Sequence, residues 1–300
     1  MIRAAIPLFV ALALVVIAGS GAPRAAPQRL LYVTHSAGYR HDVLPVSHAV
    51  VRGLGRSSGA FEVTVAEDAA VISESGLRDY DAVFFYTSGE LPLTGAQKRA
   101  LLEFVRGGKA FIGAHSAADT FYRWPEYGEM IGAYFDGHPW HTRVGIRVED
   151  ADHPATRHLP ARFEIADEIY QFRNWSRDRV HVLLSLDPAS VDLSVAGVNR
   201  ADRDFALAWT RRYGKGRVFY TALGHSGEVW GDERFTRHLL GGILWAMGRA
   251  DGGSGVESGA DESWRSLFDG ETAAGWRAYR GTTEGYDNFE LELEWKVPPR

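Results

Sequence analysis

Cysteine is absent from all 300 residues. That single absence removes disulfide frameworks, thiolate zinc sites and a cysteine nucleophile together. No stripe of basic residues and no block of like charge occurs, and the net charge of -5 is mild. A nucleic-acid partner and a charged interaction tail are therefore not expected. Long hydrophobic runs are also missing, except at the amino terminus. There residues 4–18 follow Arg3, and 20–22 or 23–26 offer small residues for cleavage. The run falls short of the ~20 apolar residues a spanning helix needs. Residues 1–26 thus read as a secretory signal peptide in preference to a retained anchor. The mature protein is expected to be secreted or periplasmic, with no membrane association after cleavage.

What the chain does hold is aromatic side chains and histidine, with 9 Trp, 12 Tyr and 11 His. Aromatic faces suit sugar rings and ordinary cores equally, so the placement of the histidines has to decide. Residues 29–34 (RLLYVT) form a compact strand pattern that ends in the loop His35-Ser-Ala-Gly-Tyr-Arg-His41. Val46, Val50, Val51 and Leu54 recur at helical spacing and Gly55 closes them. Residues 61–66 alternate as a second strand, and 82–87 (AVFFYT) are a continuous apolar run of buried parallel type. Thr94 and Gln97 make a capping-box pattern that opens a helix through Val105, which Gly107-Gly108 stops. The strand of residues 109–115 (KAFIGAH) follows.

This order predicts an α/β fold with an open, mostly parallel sheet and helices on both faces. Downstream, a helix is expected over 124–134 and strands over 143–148, 162–165 and 180–186. Strands 205–210 and 217–222 are joined by a Tyr-Gly-Lys-Gly turn, and Asp232 caps a last helix with Phe235, Leu239, Leu240, Ile243 and Leu244 on its buried stripe. The main domain is read as 27–248. Residues 249–262 are Gly-, Ser- and acid-rich, a linker, and 263–300 are too few to bury a core unaided.

Three expected strands end in histidine, at His35, His115 and His225. In an open α/β sheet the carboxyl ends share one edge, where ligands collect. His41 lies on the first of those loops, and His138 and His141 come after the helix that follows His115. With Asp119 and the pair Asp167-Glu168 there are enough N and O donors for a divalent transition ion, zinc or similar. His35, His115, His141 and His225 are the candidate ligands, and His115, Glu168 and His225 the candidate catalytic groups. Without metal, a histidine paired with Glu168 or Glu228 can still do acid–base work. Tyr39, Ser116, Asp119, Trp140, Tyr170 and Trp230 are candidate substrate contacts; singly, each tryptophan fits packing equally well. His48, His158, His181 and His238 read as structural or exposed, and His153 as fixing a turn. The spacings match no tight metal motif such as HExxH.

From residue 29 to about 247 the chain resembles a ThuA-like domain, the trehalose-utilisation family related in fold to class I glutamine amidotransferases. The resemblance rests on His35-Ser-Ala-Gly-Tyr-Arg-His41, Gly113-Ala-His-Ser116, Phe135-Asp-Gly-His-Pro-Trp-His141 and His153-Pro154. It continues through Asp167-Glu-Ile-Tyr170, Ala208-Trp-Thr210, Tyr213-Gly-Lys-Gly-Arg-Val-Phe-Tyr-Thr221 and Gly224-His-Ser226. It implies a flavodoxin-like layered sheet, with His115 standing where amidotransferases carry their cysteine. Glutaminase chemistry through a thioester is excluded by the missing cysteine. Trp264-Arg-Ser-Leu-Phe-Asp-Gly270, Gly275-Trp276 and Tyr286-Asp-Asn-Phe-Glu-Leu-Glu-Leu-Glu-Trp295 resemble part of a 3-keto-disaccharide hydrolase (DUF1080) domain, a truncated remnant. Together these imply a carbohydrate-metabolism protein acting on a glycoside or 3-keto-sugar by hydrolysis or elimination, with a small sugar as its partner. The alternatives are a non-catalytic sugar-binding module and an interaction domain.

Overall fold

A computed structural model describes residues 26–250. Nearly all of the expected leader and linker, and the remnant expected over 263–300, lie outside them. The chain opens with β1 (Gln28–Val33), α1 (Leu44–Ser58), β2 (Phe61–Ala66), α2 (Glu74–Leu77) and β3 (Ala82–Phe85). Then come α3 (Gly95–Arg106), β4 (Ala110–Ala114), α4 (Pro125–Ile131) and β5 (Tyr134–Phe135). The remainder is β6 (Trp140–Val148), β7 (Arg162–Ile169), β8 (Phe172–Arg173), β9 (His181–Leu186), β10 (Ala206–Tyr213), β11 (Gly216–Thr221), α5 (Gly227–Gly231) and α6 (Glu233–Ala246). No described helix is long and apolar enough to cross a membrane.

Nine strands form one sheet in the order β2-β1-β3-β4-β11-β10-β9-β6-β7, and β5 pairs with β8 in a separate ribbon. From β2 to β11 every pairing is parallel; from β11 onward every pairing is antiparallel. Every residue of β3 and β4 is buried, as continuous apolar runs between two helical layers must be. On one face α1 and α6 pack against β2, β4 and β11, and on the other α3 and α4 pack against β11. The sheet is thus mixed, and its antiparallel half is what the sequence shows only as a β-rich middle. The β10–β11 hairpin begins that half. Its turn at Gly214, in the left-handed region at φ 59, reverses the chain between Tyr213 and Gly216.

One helix boundary and one buried face differ from expectation for packing reasons. Gly55 does not close α1 but sits inside it, because a Cβ there would lie 2.6 Å from the Phe61 carbonyl; Gly59 forms the left-handed cap instead. In α6, Leu240 and Leu244 are only half-buried, and His238, Gly241 and Gly242 take the buried positions. The capping box of α3 is present as expected.

Two features prepare the site. Beyond the carboxyl edge of the parallel half the loops keep pairing, Ser36 with Ser88 and Gly89 with Thr120. In addition, β6 pairs with β9 only over residues 146–148, while β6 and β7 pair with each other from Trp140–Ile169 to Arg147–Arg162. The overhanging ribbon, residues 140–145 with 164–169, carries Asp167 and Glu168. The strand expected over 162–165 therefore runs on through two acids that do not look like strand residues.

Candidate functional site

Everything turns at the end of β4. Ala114 is still extended, and His115 then adopts φ 46, in the left-handed region that a histidine rarely visits. A short 3₁₀ turn, His115–Asp119, follows. Such a strand-to-helix elbow costs about 1–3 kcal/mol and persists only when its surroundings over-determine it. Here Tyr220 donates to the His115 carbonyl at 2.7 Å, Tyr127 to that of Ala117 at 2.7 Å and Thr120 to that of Ser116 at 3.0 Å. The elbow places a fully buried imidazole at the carboxyl edge, the position nucleophile elbows use.

The tautomer of that ring follows from its partner. His115 Nδ1 lies 2.8 Å from the Ala222 carbonyl, which can only accept, so Nδ1 carries a proton. In the neutral ring Nε2 is then a lone pair. Around Nε2 stand the Tyr170 hydroxyl at 2.9 Å, Glu168 Oε2 at 3.2 Å and His225 Nδ1 at 3.2 Å. Glu168 Oε2 is also 3.3 Å from His225 Nδ1. Three potential acceptors thus share one gap, which suits a proton held among them or a single cation. His41 completes the group, its ring edge-on to His115 and His225 at 4.8 and 5.3 Å between centroids. One ligand atom from each of His41, His115, Glu168 and His225 lies within 4.8 Å of the others.

Electrostatics favour the ligating form of His41 and of Glu168. Burial, then repulsion from His115 and His225, pushes His41 down to about 3, so it stays neutral. Burial would raise the Glu168 carboxyl, but hydrogen bonding and charge from His115 and His225 outweigh it and hold it well below the usual carboxylate range. His225 is raised, first by its hydrogen bond to Glu168. Asp167 fixes the loop that carries His225, accepting from the Gly224 N–H at 2.8 Å and the His225 N–H at 3.1 Å. Three imidazoles and a carboxylate, with the His115 ring oriented by the Ala222 carbonyl and the His225 loop fixed by Asp167, fit a zinc-like ion.

The structure brings His115, Glu168, His225 and Tyr170 together and corrects the expected ligand set in two places. His35 points away: its Nδ1 accepts the Ala69 N–H at 3.1 Å and faces Asp68 at 3.6 Å. The loop after β1 first bridges Ser36 to Ser88, so it is His41, six residues on, that reaches the gap. His141 is exposed and lies outside the four, its ring edge-on to His225 at 5.0 Å. His138 sits 3.5 Å from Glu168 Oε1.

Among the expected substrate contacts, Trp140 and Trp230 are corrected to packing. Trp140 donates to the Asp192 carbonyl at 2.9 Å and Trp230 to that of Gly224 at 2.8 Å, both rings almost wholly buried. Ser116 is buried with no hydrogen-bond partner for its hydroxyl. The Asp119 carboxylate accepts from Tyr122 at 2.5 Å, and burial raises its carboxyl. Tyr39 is 64 % exposed. His48, His158, His181 and His238 each bond a neighbouring side chain or carbonyl, in keeping with structural work. Sequence reasoning passed over two groups, His41 as a member of the cluster that could hold a metal and Asp167 as the support of the His225 loop. The second histidine of the HSAGYRH loop was the available signal for the first.

A model of the ThuA family, described as trehalose utilisation, matches residues 29–246, and the chain belongs to that family. Among solved structures it is similar to a ThuA-like protein from Bacteroides uniformis, at 24% identity and TM-score 0.64, over 76% of this chain and 94% of that one. A ThuA-like protein from Parabacteroides merdae is similar at 21% identity and TM-score 0.60, over 74% of this chain and 90% of that one. At these identities the likeness speaks for the fold alone. No curated protein matches.

Proposed function

We propose that this member of the trehalose-utilisation family is an exported carbohydrate-processing enzyme whose His41, His115, His225 and Glu168 hold a divalent transition ion, zinc or a similar one. Its substrate is a glycoside or 3-keto-sugar, cleaved by hydrolysis or elimination. The observation that carries this reading is the gap at His115 Nε2, where ring nitrogens of two imidazoles and a carboxylate oxygen converge on one point beside a strained elbow. The family description supports carbohydrate metabolism, and the resemblance of residues 263–300 to a keto-disaccharide hydrolase domain supports the keto-sugar. The signal-like pattern of residues 4–26 supports export.

A divalent ion in this position supplies Lewis-acid polarisation of a carbonyl or hydroxyl oxygen. The chain's own groups then divide the proton work. Glu168 turns Oε2 toward His115 and His225 and Oε1 toward His138, so Oε1 is the oxygen that accepts a proton. Asp119 is pushed the other way by burial, which suits it to give a proton to a leaving oxygen. Two carboxyls driven apart by their surroundings are the usual arrangement of acid and base. Tyr170, kept neutral by burial, is a hydrogen-bond donor at the same point.

The test is bound-metal analysis of the mature chain purified without chelator, followed by a screen of 3-keto-glycosides for cleavage. About one equivalent of a transition metal is expected, with both metal and turnover lost in His115→Ala. Failure to take up zinc, manganese or iron would remove the Lewis-acid part and leave histidine–carboxylate catalysis. Saturable sugar binding with no product would reassign the chain as a binding module.

A further inference from the structure

Beside the cluster lies a cavity of about 290 Å³ that the proposed chemistry does not use. Tyr39, Val43 and Val46 give it an apolar wall, Asp42 and Ser226 give it polar groups, and His41 and His225 join it to the cluster. Ligand cavities are built in this way, mostly apolar with a few convergent polar groups, at volumes of about 300–1,000 Å³. This one stands at the small end, room for one ring. It also holds the two large apolar side chains that are exposed among the described residues, Tyr39 at 64 % and Val46 at 44 %. A single exposed tyrosine needs no explanation, but this one is held in place.

The backbone under Tyr39 is fixed from two sides. The Ala37 and Gly38 N–H groups both donate to the Ser88 carbonyl, and the Ser88 hydroxyl donates to the Tyr39 carbonyl at 2.6 Å. The two segments approach so closely that a Cβ on Gly89, at φ 75, would lie 2.5 Å from the Gly38 nitrogen. The Tyr39 ring stands edge-on to His41, 4.8 Å between centroids. An aromatic face on an ordered loop, next to a carboxylate and a hydroxyl, is complementary to a pyranose, which has an apolar C–H face and a rim of hydroxyls. His115, Glu168 and Tyr170 do not line the cavity, so a ring seated there is not the ring transformed.

We infer that the Tyr39 cavity is a sugar subsite for the non-reacting ring of a disaccharide, with that ring on the tyrosine face and its hydroxyls on Asp42 and Ser226. This rests on the carbohydrate reading above. Calorimetric titration of the metal-loaded mature chain with trehalose, maltose and cellobiose, against glucose, tests it. The wild type is expected to bind at least one disaccharide about tenfold more tightly than glucose. Tyr39→Ala should erase that margin while leaving glucose affinity and metal content as they were, and Tyr39→Phe should retain it. A margin that survives Tyr39→Ala, a parallel loss of glucose affinity, or no margin in the wild type overturns the subsite alone. Absence of binding by all four sugars overturns the carbohydrate reading and the subsite with it.

Discussion

His41, His115 and His225 at the carboxyl edge of the sheet can be set beside His153, His158 and His238, which lie in or pack on the connection between β6 and β7. Burial acts on both groups. It pushes His41 to about 3, His153 to about 4 and His238 to about 3. The difference is in where the nitrogens point. In the second group each ring bonds to main chain: His153 Nδ1 accepts the Ala155 N–H, His158 Nε2 meets the Arg234 carbonyl and His238 Nδ1 meets that of Ala155. The other nitrogens of His153 and His238 are buried and unpartnered. In the first group the free nitrogens face one another and Glu168. Among the described residues this is the one set of three or more His and acids whose ligand atoms lie so close. A buried neutral imidazole is therefore no sign of function by itself; convergence on a shared point is.

The sharpest way to break that comparison leaves every ligand in place. Asp167→Asn keeps the size of the side chain but turns an amide NH2 toward one of the two N–H groups, Gly224 or His225, that the carboxylate now accepts. The loop bearing His225 loses its fixed position. Metal affinity is expected to fall about 10–100-fold, as for other outer partners of metal ligands, with an unchanged far-ultraviolet spectrum. Affinity equal to wild type in a competition with a chelating dye would show that convergence does not depend on this support.

For the second group the expected effect is on stability alone. His238→Gln removes a buried hydrogen bond to Ala155 and a ring packed edge-on against Phe219. The cost is about 1–3 kcal/mol at neutral pH, with metal content unchanged. The pH dependence adds a second signature. A histidine whose folded pKa is lowered is neutral in both states above about 6.5. As pH falls below that value the unfolded chain takes up a proton that the folded chain refuses, so stability is lost between about 6.5 and the folded value near 3. Denaturant titrations of His238→Gln across that window should give a shallower loss, by up to about 1.4 kcal/mol per pH unit. An equal slope in both proteins would show that His238 is already solvated.

How much of this the sequence held varies by element. The parallel half was legible because central strands must be apolar throughout, as in AVFF and AFIGA, and because the Thr94 capping box is a local signal. Strand order in the antiparallel half is set by which edges meet, which no period records. The overhang that delivers Glu168 carries Ala166-Asp-Glu168, whose strand character comes from pairing with residues 141–143. His115 could be placed because it follows directly on β4, and His225 because it lies in the short loop just after β11. Trp140 and Trp230 could not, since an indole that lines a site and one that fastens a loop look alike in sequence.

The smallest expected effect separates His35 from His41, which share one loop and one sequence motif. His35 lies nearer the strand end, and its ring serves the turn at Ala69, where Nδ1 accepts a backbone N–H. Removing it in His35→Ala leaves that donor to water, a loss of about 0.5–1.5 kcal/mol. The loop would still be held by the Ser36–Ser88 bridge and the bonds from Ala37 and Gly38 to Ser88. Metal content and affinity should therefore stay at wild-type levels, whereas His41→Ala should weaken binding. The pair is a strict test because both substitutions delete the same ring from the same seven-residue loop. Equal loss of metal from both would mean that the loop acts as a unit and that the position of His41 in the cluster counts for nothing.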